Sequence, residues 1–200
     1  PSANKANRED ILFLLKNFKG LVVVDEAYID FSDEPSFTSE LDNFPNLLVM
    51  QTFSKAWGLA SLRLGMAFAS EEIIRILNKI KPPYNISGLT QETVLAAIQD
   101  KAKVDQMIRE ILEEREFLQS ELEKFPFVKK IHPSHANFLL VKIPNANQVY
   151  DDLIQEKVIV RNRAKVLLCE DCLRITVGTR KENEALLGAL KNVCEKSTVN

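Results

Sequence analysis

Leu21-Val22-Val23-Val24-Asp25-Glu26-Ala27-Tyr28-Ile29-Asp30-Phe31 is the stretch whose reading decides the fold. Four apolar residues, three of them β-branched, run without a polar break and stop at two carboxylates. Such a run fits a strand buried on both faces, the kind found in parallel sheets. Ahead of it, Ile11, Leu12, Leu14, Leu15 and Phe18 recur at helical spacing, so 7–18 reads as a helix stopped by Gly20. Behind it, Leu47-Leu48-Val49-Met50 is a second buried strand, ending at Gln51-Thr52-Phe53-Ser54-Lys55, and 64–69 is a third. Residues 71–81 read as a helix with Ser70 as N-cap, broken by Pro82-Pro83.

Residues 90–124 form one long helical stretch, with Val104, Met107, Ile108, Ile111, Leu112, Leu118 and Leu122 as its packing stripe. The acidic run Glu110, Glu113, Glu114 and Glu116 reads as its solvated face. The pattern changes after Pro126. Strands over 127–131, 136–143, 158–161 and 173–177 interleave with helices over 147–156 and 181–193, which predicts a second, smaller α+β unit. The fold class is α/β.

Composition narrows the function. The 200 residues are 46% hydrophobic and 27% charged, which excludes wholesale disorder, collagen and a disulfide miniprotein. With 28 acidic against 26 basic residues the formal net charge is -2, which argues against a net-basic nucleic-acid binder. No apolar run approaches the ~20 residues of a membrane helix. The start at Pro1 lacks Met and the apolar core of a signal peptide. Three cysteines, an odd count, argue against a secreted disulfide framework and for a reducing cytoplasm. Cys169 and Cys172 have CxxC spacing but no second ligand pair for zinc, and a strand follows them where a thioredoxin-like motif needs a helix. They read as structural.

Polar residues just past the ends of buried strands mark ligand sites in open α/β sheets. Asp25-Glu26-Ala27-Tyr28 and Thr52-Phe53-Ser54-Lys55 are two such clusters, and Asp25 and Lys55 lie 30 residues apart, enough for a crossover between parallel strands. A lysine there can form a Schiff base, an aspartate can keep a pyridinium nitrogen protonated, and a tyrosine can bond a phenolate oxygen. The Thr52 and Ser54 hydroxyls with the Arg63 fork can cradle a phosphate. That set matches pyridoxal 5′-phosphate part by part. Spacing alone equally allows Lys55 as a strand-end surface lysine and Asp25 as a cap.

The wording of three segments goes further. Val23-Val24-Asp25-Glu26-Ala27-Tyr28-Ile29-Asp30-Phe31 resembles the cofactor-ring segment of histidinol-phosphate aminotransferases. Residues 52–65, Thr-Phe-Ser-Lys-Ala-Trp-Gly-Leu-Ala-Ser-Leu-Arg-Leu-Gly, resemble that family's Schiff-base lysine segment. Residues 172–179, Cys-Leu-Arg-Ile-Thr-Val-Gly-Thr, resemble its C-terminal carboxylate segment. The resemblance implies the C-terminal part of a fold type I transferase. Residues 1–88 would close the large, mostly parallel cofactor domain, 89–125 connect, and 126–200 form the small α+β domain.

It also implies roles. Lys55 would carry the cofactor and move the substrate proton, Asp25 pair with the ring nitrogen, Tyr28 bond the ring oxygen and Ala27 lie against the ring. Thr52, Ser54 and Arg63 would hold the cofactor phosphate. Arg174, helped by Asn137, would bind the substrate carboxylate, and Arg161 the substrate's own phosphate. The reaction implied is amino transfer between L-histidinol phosphate and 2-oxoglutarate in a cytoplasmic homodimer, with no nucleic acid, membrane or metal partner. An aromatic aminotransferase, a threonine-phosphate decarboxylase and a non-catalytic fragment are the rival readings. Tyr84 and Asn85 read as a hinge loop, His132 and His135 as surface or capping residues, and Trp57 as packing. Pro1-Ser2-Ala3-Asn4 resembles the tail of a family motif in which Gly stands at the place of Ala3. Members of the family are longer, so the chain alone is expected to be destabilised, aggregation-prone and a poor cofactor binder.

Overall fold

The computed structural model describes residues 2–198, with side chains through residue 193; Pro1 and the side chain of Cys194, the third cysteine, lie outside the described residues. The chain divides into two compact units. One spans Ala6–Ile108, and the other joins the residues up to Lys5 to those from Arg109 onward.

In the first unit, β1 (Val22–Asp25), β2 (Leu47–Thr52) and β3 (Gly65–Ala69) form a sheet in the order β1-β2-β3. β1 and β2 are parallel, with Val22 opposite Leu47 and Asp25 opposite Met50. β3 is antiparallel to β2, with Thr52 opposite Gly65. Only the central β2 buries a continuous run, Leu47-Leu48-Val49. β1 instead alternates: Val22 and Val24 are half-buried while Val23 is 48% exposed. The inward side packs against α1 (Arg8–Asn17), whose Leu15, Ile11 and Leu12 meet Leu47 and Val49. Asn7 caps α1, its Oδ1 accepting from Glu9 N at 2.8 Å and Asp10 N at 3.4 Å.

One step beyond β1, the period-2 alternation turns Glu26 inward. It is 7% exposed, and its carboxylate accepts from Phe37 N at 2.7 Å, Ser36 Oγ at 2.6 Å and Gln51 Nε2 at 2.9 Å. Its own N–H donates to the Met50 carbonyl at 2.8 Å. Glu26 thus fastens the end of β1 both to β2 and to the turn that begins at Phe37.

One helix expectation is refined and one corrected. Ser70 stands at the N-cap of α2 (Glu71–Ile80) as expected, but its hydroxyl donates to the Pro45 carbonyl at 3.2 Å and makes no cap hydrogen bond. The long stretch is two helices, α3 (Gly88–Ile98) and α4 (Lys101–Leu122). Between them Gln99 and Asp100 close i→i+3 turns on Ala96 and Ala97, and the Asp100 carbonyl starts α4 by accepting from Val104 N.

In the second unit, β4 (Lys130–Ile131), β5 (Phe138–Lys142), β7 (Cys172–Thr176) and β6 (Arg161–Asn162) form an antiparallel sheet in that order. β4 and β6 are shorter than the expected 127–131 and 158–161. The inner face, Leu139, Val141, Leu173 and Ile175, packs with Leu118 and Leu122 of α4, Leu153 of α5 (Ala146–Gln155) and Leu186 and Leu190 of α6 (Arg180–Thr198). Glu114 is not a solvated residue. It accepts from Arg180 Nε at 2.9 Å and from the buried Asn183 Nδ2 at 2.8 Å. Thr179 and Glu182 form a capping box at the start of α6, Glu182 Oε2 accepting from Thr179 N at 2.8 Å.

Ala3 has a φ of 69° and its carbonyl accepts from His135 N at 2.9 Å. A left-handed φ is costly for a residue with a Cβ, which fits the family's glycine at that place. Ala3→Gly is therefore expected to raise unfolding stability by about 0.5–1 kcal/mol in urea denaturation. Glu26→Ala, which removes the acceptor of three hydrogen bonds and orphans the buried Phe37 N–H, should lower it by about 3 kcal/mol by the same measurement, and Glu26→Gln by less.

Candidate active site

The parallel pairing of β1 and β2 places their carboxyl ends side by side, and six of the expected cofactor residues stand there. Asp25 ends β1, its Oδ1 accepting from Ala27 N at 3.0 Å. This Asx-type turn leads the chain over to Tyr28. Thr52 ends β2. Its Oγ1 accepts from Ser54 N at 3.1 Å, lies 3.0 Å from Ser54 Oγ and donates to the Leu64 carbonyl at 3.2 Å. Lys55 then sits exposed between two buried anchors, Phe53 and Ala56.

Phe53 meets Trp57 edge-on at 5.5 Å, the packing role expected for Trp57. The turn closes where Gly58, at φ +67°, donates its N–H to the Lys55 carbonyl at 3.0 Å. The result is a lysine held on a short, braced loop. Its Nζ stands 5.2 Å from the centroid of the Tyr28 ring. Arg63, the seventh, lies in the left-handed region at φ 53°, one residue before the Leu64 carbonyl that Thr52 and Phe53 N–H both reach. Its exposed guanidinium donates to the Ala60 carbonyl at 2.8 Å.

The donor set suits the expected cofactor. An amine for its aldehyde, a carboxylate for its ring nitrogen, a phenol for its ring oxygen, and two hydroxyls and a guanidinium for its phosphate all lie at the ends of adjacent strands in one unit. Tyr84, by contrast, is fully exposed, and Asn85 Oδ1 accepts from Lys81 Nζ at 3.3 Å.

The three expected substrate residues belong to the second unit. Arg174 on β7 lies opposite Arg161 on β6 and Leu140 on β5. Its guanidinium stacks on the Phe138 ring, 4.7 Å from the centroid. Asn137 precedes β5 and its carbonyl accepts from Val177 N at 3.0 Å. Two like charges directly across an antiparallel pair repel each other, so an anion between them is favoured. His135 Nδ1 accepts from Lys5 N at 3.3 Å. Burial, and then Lys130 and Lys142, push the His132 imidazole below its ordinary value. Cys169 and Cys172 are buried free thiols packed with Leu140 and Val166; burial, first, pushes the Cys172 thiol up. Among the described residues no group of three or more His, Cys, Asp or Glu could hold a metal ion, and no helix is long and apolar enough to cross a membrane.

Sequence reasoning assigned nothing to Glu26, although Val22, Val24 and Glu26 share one face by simple alternation. It also passed over Arg163, two residues beyond Arg161.

Comparison with known proteins gives consistent matches. Residues 1–190 match the family model for aminotransferase class I and II. Histidinol-phosphate aminotransferase of Parabacteroides distasonis is 54% identical over 193 residues, which are 96% of this chain and 56% of that protein. The enzyme of the same description from Cytophaga hutchinsonii is 52% identical over 191 residues, covering 96% of this chain and 55% of that one. Among solved structures, the histidinol-phosphate aminotransferase of Clostridium acetobutylicum superposes with a TM-score of 0.90 at 27% identity, covering 96% of this chain and 60% of its own. The chain spans about half the length of the curated relatives it matches, 56% and 55%.

Asp30, two residues past Tyr28, has its carboxyl pushed up from the ordinary value, first by burial and then by Asp105 and Glu26, against its own backbone N–H and Lys101. The folded chain therefore binds this proton more tightly than the unfolded chain does. The stability it contributes is complete at acid pH and is lost as pH rises through the raised value. Asp30→Asn should raise the urea midpoint at pH 7, and the gain should vanish below the ordinary value of 3.8. A gain that grows on acidification would contradict this.

Proposed function

The chain belongs to the aminotransferase class I and II family, and from that premise we propose that the whole protein transfers an amino group reversibly between L-histidinol phosphate and 2-oxoglutarate, with pyridoxal 5′-phosphate as cofactor. One observation carries this reading: Asp25, Tyr28 and Lys55 converge past the ends of two parallel strands, with the lysine amine 5.2 Å from the tyrosine ring. Over 96% of its length the chain is 54% and 52% identical to relatives described as histidinol-phosphate aminotransferases.

When bound, the cofactor supplies an electron-withdrawing ring that stabilises negative charge at the substrate α-carbon. The protein does the rest. The Lys55 amine would hold the cofactor at its aldehyde carbon and, once displaced by the incoming amine, take and return the α-proton. The short loop between Phe53 and Ala56 keeps that base in place through both tasks. Asp25 would keep a proton on the ring nitrogen, because a carboxylate beside it favours the charged form. Tyr28 would donate to the ring oxygen, and Ala27 would pack on the ring face.

Thr52, Ser54 and Arg63 would hold the cofactor phosphate, the hydroxyls by single hydrogen bonds and the arginine by its fork. On the second unit, Arg174 with Asn137 would bind the carboxylate of the amino donor or acceptor, and Arg161 the phosphate of the other substrate. We further infer a cytoplasmic homodimer, in keeping with two buried free thiols. The units at 1–88 and 126–200, joined by 89–125, stand as the proposed domain division.

Borohydride reduction of the cofactor-loaded protein followed by peptide mapping tests the centre of this reading. A pyridoxyl group is expected on Lys55, and its absence there, or its presence on another lysine, overturns the assignment. Lys55→Ala should lower kcat at least ~10⁴-fold, as expected when a single residue serves as both anchor and base. A substrate profile that prefers a non-phosphorylated aromatic amino acid would overturn the substrate assignment while leaving the family intact.

A further inference from the structure

Phe138 opens β5 and, by the two-residue period, faces away from Leu139 and Val141, whose side chains pack with the helices. It is nevertheless only 4% exposed. The Arg174 guanidinium lies over its ring, 4.7 Å from the centroid. The register explains the meeting. Phe138 is directly opposite Thr176, and Arg174 directly opposite Leu140. Phe138 and Arg174 are therefore diagonal neighbours on one face, a gap of about 7 Å that a long side chain and a ring together close. To reach the ring, the Arg174 side chain crosses from β7 to β5 and leans toward the Thr176 end of its strand. At that end the Val177 N–H donates to the Asn137 carbonyl at 3.0 Å. The stack thus carries the charged head of Arg174 toward the segment that holds Asn137.

The ring has a braced backbone. The Phe138 carbonyl accepts from Ser134 Oγ at 2.7 Å, and the same hydroxyl accepts from Ala136 N at 3.2 Å. The Ala136 carbonyl accepts from Arg115 Nη1 of α4 at 3.0 Å. Residues 134–138 are therefore tied both to themselves and to the helix layer. A guanidinium carries its N–H donors in its own plane, so a ring against its flat face fixes the direction of the fork without using a donor. An arginine has much rotamer freedom to lose when it grips an anion, and one already held against a ring loses less.

We propose that Phe138 is a positioning residue for Arg174: its ring orders the guanidinium ahead of binding, and so sets how tightly the fork takes the planar carboxylate of an amino-acid or oxo-acid substrate. This rests on the reading of Arg174 as the carboxylate ligand.

The test titrates the 200-residue chain, labelled with ¹⁵N-arginine, with glutarate, a dicarboxylate that has no keto or amino group to react. Arg174→Gln removes the Arg174 Nε–H signal and so assigns it, and should weaken glutarate binding at least about tenfold. In the parent that signal is expected to lie upfield, in the shielding cone of the Phe138 ring, and to move as glutarate saturates. Phe138→Leu keeps an apolar side chain but loses the ring, and should weaken binding about fivefold. Phe138→Tyr keeps the ring and should bind within twofold of the parent. Leu139→Val loosens the same strand on its other face and should also bind within twofold. An affinity within twofold in Phe138→Leu, a loss in Phe138→Tyr as large as that with leucine, or an equal loss in Leu139→Val overturns the proposal alone. An Arg174 signal that glutarate does not move, or an Arg174→Gln affinity within twofold of the parent, overturns the carboxylate reading of Arg174 as well. If Phe138→Leu does not fold, the parent signal decides: an Arg174 Nε–H with no upfield shift overturns the proposal.

Discussion

The candidate site depends on one constraint: β1 and β2 run parallel and end together. Asp25 pairs with Met50, so the polar last residue of β1 stands beside the last residues of β2. Had the pair been antiparallel, Asp25 and Lys55 would leave opposite ends of the sheet. The junction is secured by a carboxylate that takes no part in the proposed chemistry. Glu26 turns inward where Asp25 turns outward. It ties the strand end to Gln51 on one side and to the Ser36 and Phe37 turn on the other. Of two adjacent acidic residues, one is thus held for architecture and the other stays exposed.

A parallel division occurs in the second unit. One face of its sheet is apolar and covered by helices, and the other carries Arg161, Arg174 and Lys142. Antiparallel strands normally avoid like charges at directly opposite positions. Here that arrangement sits on strands whose other side buries Leu139, Val141, Leu173 and Ile175 almost completely. The apolar core offsets the repulsion between the two arginines.

Much of this was legible in the sequence, for identifiable reasons. β1 and β2 announce themselves because apolar runs end sharply at Asp25 and Thr52. Strand ends are also where ligands bind in open α/β sheets, so the candidate cofactor residues are read along with the strands. The direction of β3 was not legible, since an apolar run looks the same read either way. The division between α3 and α4 was hidden because Gln99 and Asp100 are ordinary helix residues and no Gly or Pro marks the turn. Side-chain pairing was least visible. Glu114 lies four residues before Leu118 and eight before Leu122, on the buried stripe of α4. Its acidic neighbours suggested solvent, and its partners Arg180 and Asn183 are too far along the chain to be guessed.

The signal that would have found both Glu26 and Glu114 is the same. Each occupies a position where the period of its element points inward, and each is charged. A charge on the buried stripe of a strand or helix must be paired or hydrogen-bonded, so such a residue predicts a partner even when that partner cannot be named. For Glu26 and Glu114 the partner lies within the protein.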